Sequence, residues 1–157
     1  MVADALDADA VKRAVGEAEP DVIVHEPTAI PPAVNMRRFD REFALTNRLR
    51  TDGTDGVLSA GKAVGVKQFV AQSNAAVTYA RTGGPVKQEN APLDHDPSPA
   101  MRQMLAAIRH LEAAVNAGVP KAGEHVRLQP EERVHDQVGR VVEEAVRRGQ
   151  SCRRAAP

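Results

Sequence analysis

Gly65-Val66-Lys67-Gln68-Phe69-Val70-Ala71-Gln72-Ser73 decides the fold. A glycine that stops a helix is followed at once by an apolar run too short to be a buried helix, which reads as a strand. Immediately before it, from about Arg41 to Val64, the apolar residues recur at helical spacing, punctuated near Asp52-Gly53. Further upstream, Asp21-Val22-Ile23-Val24-His25 is a second β-branched run, held between Pro20 and Pro27. Its simplest reading is a buried parallel strand. Two strands joined through a long helix imply a right-handed crossover in a parallel sheet.

The flanks extend the same alternation. Leu6, Ala10, Val11, Ala14, Val15 and Ala18 predict a helix over Asp7 to Ala18, capped by Asp7 or Asp9 and ended at Glu19-Pro20. Thr28 to Val34 reads as loop because Pro31 and Pro32 are consecutive. Asn74 to Pro99 is a second, longer loop containing Gly83-Gly84-Pro85. Loops of this length inside a compact domain are commonly functional or disordered. Ser98-Pro99 then supplies an N-cap and a first-turn proline for a helix over Pro99 to Ala117. Met101, Met104, Leu105, Ile108, Leu111 and Val115 form its apolar stripe. Composition shifts after Gly118. Residues 118–129 read as irregular, and Pro130 to Arg148 as an amphipathic helix with Val134, Val138, Val141, Val142, Ala145 and Val146 on one face. The expected organisation is one α/β unit over residues 1–117 and a divergent helical tail over 118–157.

Composition narrows the function classes. Lys+Arg and Asp+Glu both number 21, so no global charge attracts nucleic acid or an anionic membrane. No apolar run reaches the roughly 20 residues that span a bilayer, and the first residues do not read as a signal peptide. The single Cys152 has no intramolecular partner. A soluble, cytoplasmic protein is the expectation. Aromatic residues are only 3% of the chain, so the core must be built from Val, Ala, Leu and Ile.

Tyr79 is the only tyrosine, and Gly83 stands four residues on. A tyrosine and a lysine at that spacing on one helix face would let the lysine lower the tyrosine pKa for proton transfer at a carbinol. No placement of this chain supplies the pair. The eleven glycines also contain no G-x-G-x-x-G or G-x-x-G-x-x-G triplet to hold a pyrophosphate. His25, His95, His110, His125 and His135 suggest a metal, but the 125/135 spacing does not place both rings on one helix face. No metal site is expected. Arg37, Arg38, Arg48 and Arg50 read as helix-surface charges, and Arg147 to Arg154 as a solvated basic end.

In combination and order, several segments resemble the NAD-dependent epimerase/dehydratases of the extended or atypical short-chain dehydrogenase/reductase superfamily. They are Asp4-Ala-Leu-Asp7, Pro20 to His25, Arg50-Thr-Asp-Gly-Thr54, Gly65 to Ser73, Tyr79 and Pro85-Val-Lys-Gln-Glu89, across roughly residues 2–117. The resemblance implies a partial Rossmann-type, three-layer α/β fold with a parallel sheet, entered at about the third strand and without the first strands and the glycine-rich turn. Under the 3-2-1-4-5 order the edge of the fourth strand would then lie open. The resemblance implies NAD or NADP as cofactor. It places Asp4 against the adenine, with Leu6 beside it, and His25 and Thr28 along the nicotinamide half. Ser73 matches the serine that ends the fifth strand and orients substrate, and Tyr79 follows it as the chain's one phenol. The family's Pro-Tyr-x-x-x-Lys falls on Pro99 to Met104, with Ala100 for tyrosine and Met104 for lysine.

The expected function is therefore an NAD(P)-binding epimerase/dehydratase-like protein, degenerate or truncated, without full oxidoreductase activity. Two alternatives remain. One is a non-catalytic interaction module that completes its sheet with a second copy or a complementary chain. The other is half of a split epimerase or reductase.

Overall fold

The computed structural model describes residues 2–32, 34–35, 38–74, 79–83, 86–88 and 91–118. The valine-faced stretch at 130–148, the basic end, His125, His135 and Cys152 lie outside them.

The chain opens with a turn in which the Asp7 N–H reaches the Asp4 carbonyl. Helix α1 follows over Ala8–Ala18. Asp7 caps it as expected, its carboxylate accepting from the N–H groups of Asp9 and Ala10 at 3.0 Å each. Strand β1 is Val22–His25 and strand β2 is Gln68–Ala71. They pair in parallel, with Ile23 opposite Phe69 and His25 opposite Ala71. The carbonyl of Asp21 accepts from Gln68 N–H, and that of His25 from Gln72 N–H. The parallel ladder therefore directs the main-chain groups of Val22 and Val24 to the other edge. Among the described residues no strand pairs there.

The crossover between the strands is longer and more continuous than the expected helix over 41–64. It runs from Phe39 through α2 (Phe39–Glu42), α3 (Ala44–Arg48), a π-helical turn (Leu49–Gly53) and α4 (Thr54–Val64). The expected break at Asp52-Gly53 is that π turn, where the Thr54 N–H reaches back to the Leu49 carbonyl. The chain widens by one residue there and stays helical. Gly65 ends α4 at φ 73, a left-handed conformation that costs glycine nothing. Gly61 serves a different purpose. A Cβ there would sit 3.1 Å from the Ile23 Cδ1, so glycine lets α4 lie close on β1.

After the second loop, Pro99–Met101 forms a 3₁₀ turn and α5 runs over Arg102–Gly118. The helix start is as expected, but Ser98 makes no side-chain cap; its carbonyl takes the Met101 N–H instead. Helix α1 packs on α4, and α4 and α5 pack together.

Two clusters make the core. Phe69, Ala71, Leu111 and Val115 are buried together, with Ile23, Val57 and Leu58 packed around them. Phe39, Phe43, Met104 and Ile108 form the second, where the two phenyl rings stack at 4.2 Å. Complete burial of a side chain such as Leu111 contributes about 1.5–3 kcal/mol, so α5 is held to the sheet mainly by its apolar stripe. The helix-facing side of β1 carries Ile23 and His25; Val24, on the opposite side, is exposed. No described helix is long and apolar enough to cross a membrane.

Candidate functional site at the strand ends

In open α/β sheets ligands bind beyond the carboxyl ends of the parallel strands. Here those ends are His25 and Ala71, and the polar groups around them form two hydrogen-bonded sets.

The first set joins β1 to the π turn. His25 is buried at the end of β1, tilted against the Phe69 ring at 5.6 Å. Its Nε2 lies 2.9 Å from the Thr54 Oγ1, and the Thr54 hydroxyl donates to the Arg50 carbonyl at 2.9 Å. A threonine has one hydrogen to give, so Nε2 must be the donor and the ring the Nε2–H tautomer. Burial strips the imidazole of water and lowers its pKa to about 4, so it is neutral near pH 7. One turn earlier, the fully buried Thr46 accepts the Ala29 N–H at 3.0 Å, which ties the loop after β1 to α3. Asn47 and Arg50 are buried on the same helix. Arg48 is a surface charge as expected, paired with Asp52 at 3.4 Å. Arg50 is not, because its turn faces the fold interior.

The second set lies at the end of β2. The Ser73 hydroxyl donates to the Glu112 Oε1 on α5 at 2.5 Å, and both side chains are only partly covered. Two residues earlier on α5, His110 Nε2 meets the Asp55 carboxylate of α4 at 2.9 Å, exposed on both sides.

The remaining candidates are dispersed. Tyr79 forms an isolated antiparallel bridge with Leu93, and the Ala80 N–H reaches the Pro92 carbonyl, so the second loop doubles back on itself. Lys87 donates to the Thr82 carbonyl within that loop. Thr28 is exposed beyond β1. Asp4 is exposed too, and its carboxylate takes the Leu6 N–H at 2.9 Å in a local turn. His25 and Ser73 thus share the strand-end edge, whereas Asp4 and Leu6 belong to the turn before α1. Thr54 and Glu112 were missed by the sequence reading. The only local signal for Thr54 was its place directly after Asp52-Gly53; Glu112 gave none.

Ala100 and Met101 of the 3₁₀ turn pack on the Phe39–Phe43 cluster, and Met104 and Ile108 of α5 are buried within it. The helix following β2 therefore turns an apolar face inward.

The donor chemistry can be tested against a dinucleotide. Its pyrophosphate needs unshared N–H groups at a helix N-terminus. At α1 those of Asp9 and Ala10 are already taken by the Asp7 carboxylate, whose charge, with that of Asp9, repels an anion. Thr54 is no helix start, since the π turn leads straight into α4. Neither the start of α1 nor Thr54 offers a pyrophosphate its N–H groups; the residues at the strand ends form a polar edge.

A parallel strand–helix–strand unit with helices packed together around it and polar groups at the strand ends defines a Rossmann-type α/β protein. It shares this fold with nucleotide-sugar epimerases and related enzymes of known structure, as the sequence resemblance implies. The UDP-Glc/GlcNAc 4-epimerase of Campylobacter jejuni superposes with a TM-score of 0.58 at 22% identity, over 73% of this chain and 32% of that one. A GDP-D-glycero-L-gluco-heptose synthase of the same organism, solved in the presence of NADPH, gives 0.63 at 16% identity, over 82% and 36%. The Bordetella bronchiseptica enzyme WbmG, in complex with NAD and UDP, gives 0.52 at 22%, over 71% and 33%. In sequence, a 3-diazoavenalumate denitrifying reductase of Streptomyces sp is 43% identical over 118 residues, 73% of this chain and 37% of that protein. The chain thus spans about a third of the length of the proteins it matches. No protein-family model matches it.

Proposed function

We propose that this chain supplies the strand-end portion of an NAD(P)-dependent reductase whose substrate takes up hydride without a tyrosine–lysine proton relay. The carrying observation is the apolar inner face of α5, where Met104 and Ile108 pack on Phe39 and Phe43. A carbinol–carbonyl exchange needs a proton delivered to oxygen as hydride arrives, and no group on that face can deliver one. The 43% identity to a reductase named for a diazo substrate favours reduction over epimerisation and suggests an electron-poor nitrogen group as the hydride acceptor. In such a protein the cofactor supplies the hydride, and its phosphates are held by residues other than those described here. By itself the chain is inert toward carbonyl substrates.

The test mixes the purified chain with the part of the diazoavenalumate reductase that the chain does not span and follows NADPH oxidation. The expected result is oxidation dependent on an arene diazonium acid in the mixture and none with the chain alone. Ketone-dependent oxidation in any arm would overturn the reading. A mixture inactive with the diazonium acid would count equally against it.

A second reading rests on the outer edge of β1, where no strand pairs with Val22 and Val24 among the described residues and the Val24 side chain is exposed. In it, the chain is an interaction module that completes its sheet with a second copy or a complementary chain. Light scattering decides it: a concentration-independent monomer mass excludes self-pairing.

A further inference from the structure

We infer that residues 39–48, the part of the crossover formed by α2 and α3, are a hinged flap that opens as a unit ahead of the rest of the fold, driven by the buried carboxamide of Asn47. Opening releases the loop that follows β1 and so uncovers the strand-end edge.

The flap is held shut by packing and by few bonds. Helix α2 has four residues and α3 five, and neither start has a side-chain cap. Helices this short have almost no stability of their own in water. They meet at Phe43, whose φ of −90 and ψ of 3 interrupt the helical line. The stacked rings of Phe39 and Phe43 seat them on Met104 and Ile108. The Thr46 hydroxyl holds the Ala29 N–H at 3.0 Å. The Asp40 Oδ2 takes the Gln103 N–H only at 3.5 Å, beyond the usual range of a hydrogen bond.

Asn47 opposes closure. It is 8% exposed, and both its Nδ2 and its Oδ1 are buried with no hydrogen-bond partner among the described residues. The Asp40 Oδ1, two turns earlier, is in the same position. A carboxamide has two N–H hydrogens and a carbonyl oxygen to satisfy, and water satisfies them all. Closing the flap removes those bonds and returns none. That favours the open form by roughly ten-fold or more relative to an apolar side chain of the same shape. The hinge on the far side is the π turn, a place where helices kink. Just beyond it Thr54 is bonded to His25 of β1, so α4 stays with the sheet when the flap moves.

Native-state amide exchange of the isotope-labelled full chain, followed residue by residue in low urea, tests the flap. The Phe43 N–H bonds to the Phe39 carbonyl, the Asn47 N–H to the Phe43 carbonyl, and the Ala29 N–H to the Thr46 hydroxyl. All three should exchange together, roughly ten-fold or more faster than the N–H groups of Leu111 and Val115 on α5, and with little dependence on urea. Asn47→Leu keeps the size and removes the unsatisfied groups, so it should slow all three by roughly ten-fold. Exchange of Phe43 and Asn47 at the α5 rate, with the urea dependence of α5, overturns the inference. So does an Ala29 N–H that stays protected while the other two exchange, because the loop would then not be released. Unchanged or faster exchange in Asn47→Leu, or failure of that variant to fold, would show that the carboxamide does not drive the opening. Neither cofactor nor turnover enters the measurement, so its outcome is separate from that of the reductase reading.

Discussion

The imidazole of His25, at the end of β1, donates through Nε2 to the hydroxyl of Thr54, 29 residues on and 2.9 Å away. Thr54 passes its own hydrogen to the Arg50 carbonyl inside the π turn. A strand end is thereby locked to the π turn of the crossover helix. Thr54→Val keeps the shape and removes both bonds, leaving a buried imidazole donor unsatisfied. It should cost about 1–3 kcal/mol, read as a lower urea midpoint with an unchanged m-value. Thr54→Ser should recover most of the loss.

His25 makes stability depend on pH. Its pKa is lowered to about 4 in the folded chain by burial, against 6.5 for a free imidazole. Between those values the unfolded chain binds the extra proton and the folded chain does not, so acid favours unfolding. The stabilisation is complete above about pH 6.5 and is lost as pH falls toward 4, by about 3 kcal/mol at most. Urea midpoints at pH 7 and pH 5 should differ in that direction, and the difference should shrink in His25→Gln. Equal midpoints would refute the assignment.

Two glycines of α4 should respond with opposite signs. Gly61 lies against β1, where a Cβ would meet the Ile23 Cδ1 at 3.1 Å. Gly61→Val should therefore overpack the contact and cost about 1–3 kcal/mol. Gly56 has nothing within 4 Å of its would-be Cβ. Gly56→Ala should add about 0.5–1 kcal/mol by restricting the unfolded chain. Thermal melts of the two variants beside the unaltered chain check both signs.

The face of α5 that carries the functional proposal can be probed by size. Met104 is buried against Phe39, Phe43 and Ile108. Met104→Ala should cost about 2–5 kcal/mol, whereas the volume-conserving Met104→Leu should cost less than about 1.5. Met104→Lys would bury an unpaired ammonium in the same cluster and should leave the chain without a cooperative melt. A folded Met104→Lys chain would mean that this face can open to a polar group.

Much of the framework was legible in the residues because its causes are local. Asp7 caps α1 through N–H groups two and three residues on, and Gly65 ends α4 by taking a positive φ. Val22 to His25 and Gln68 to Ala71 are strands because β-branched and apolar runs of that length, between turn signals, have few other ways to bury themselves. The same logic located His25 and Ser73 at the strand ends. Tertiary packing decided what those residues touch. Arg50 reads as a surface charge by its neighbours, yet the π turn rotates it inward. Thr54 and Glu112 gain their roles from partners 29 and 39 residues away. Spacing along a helix tells which residues share a face; whether that face meets water or a strand end is settled only when the long-range contacts form.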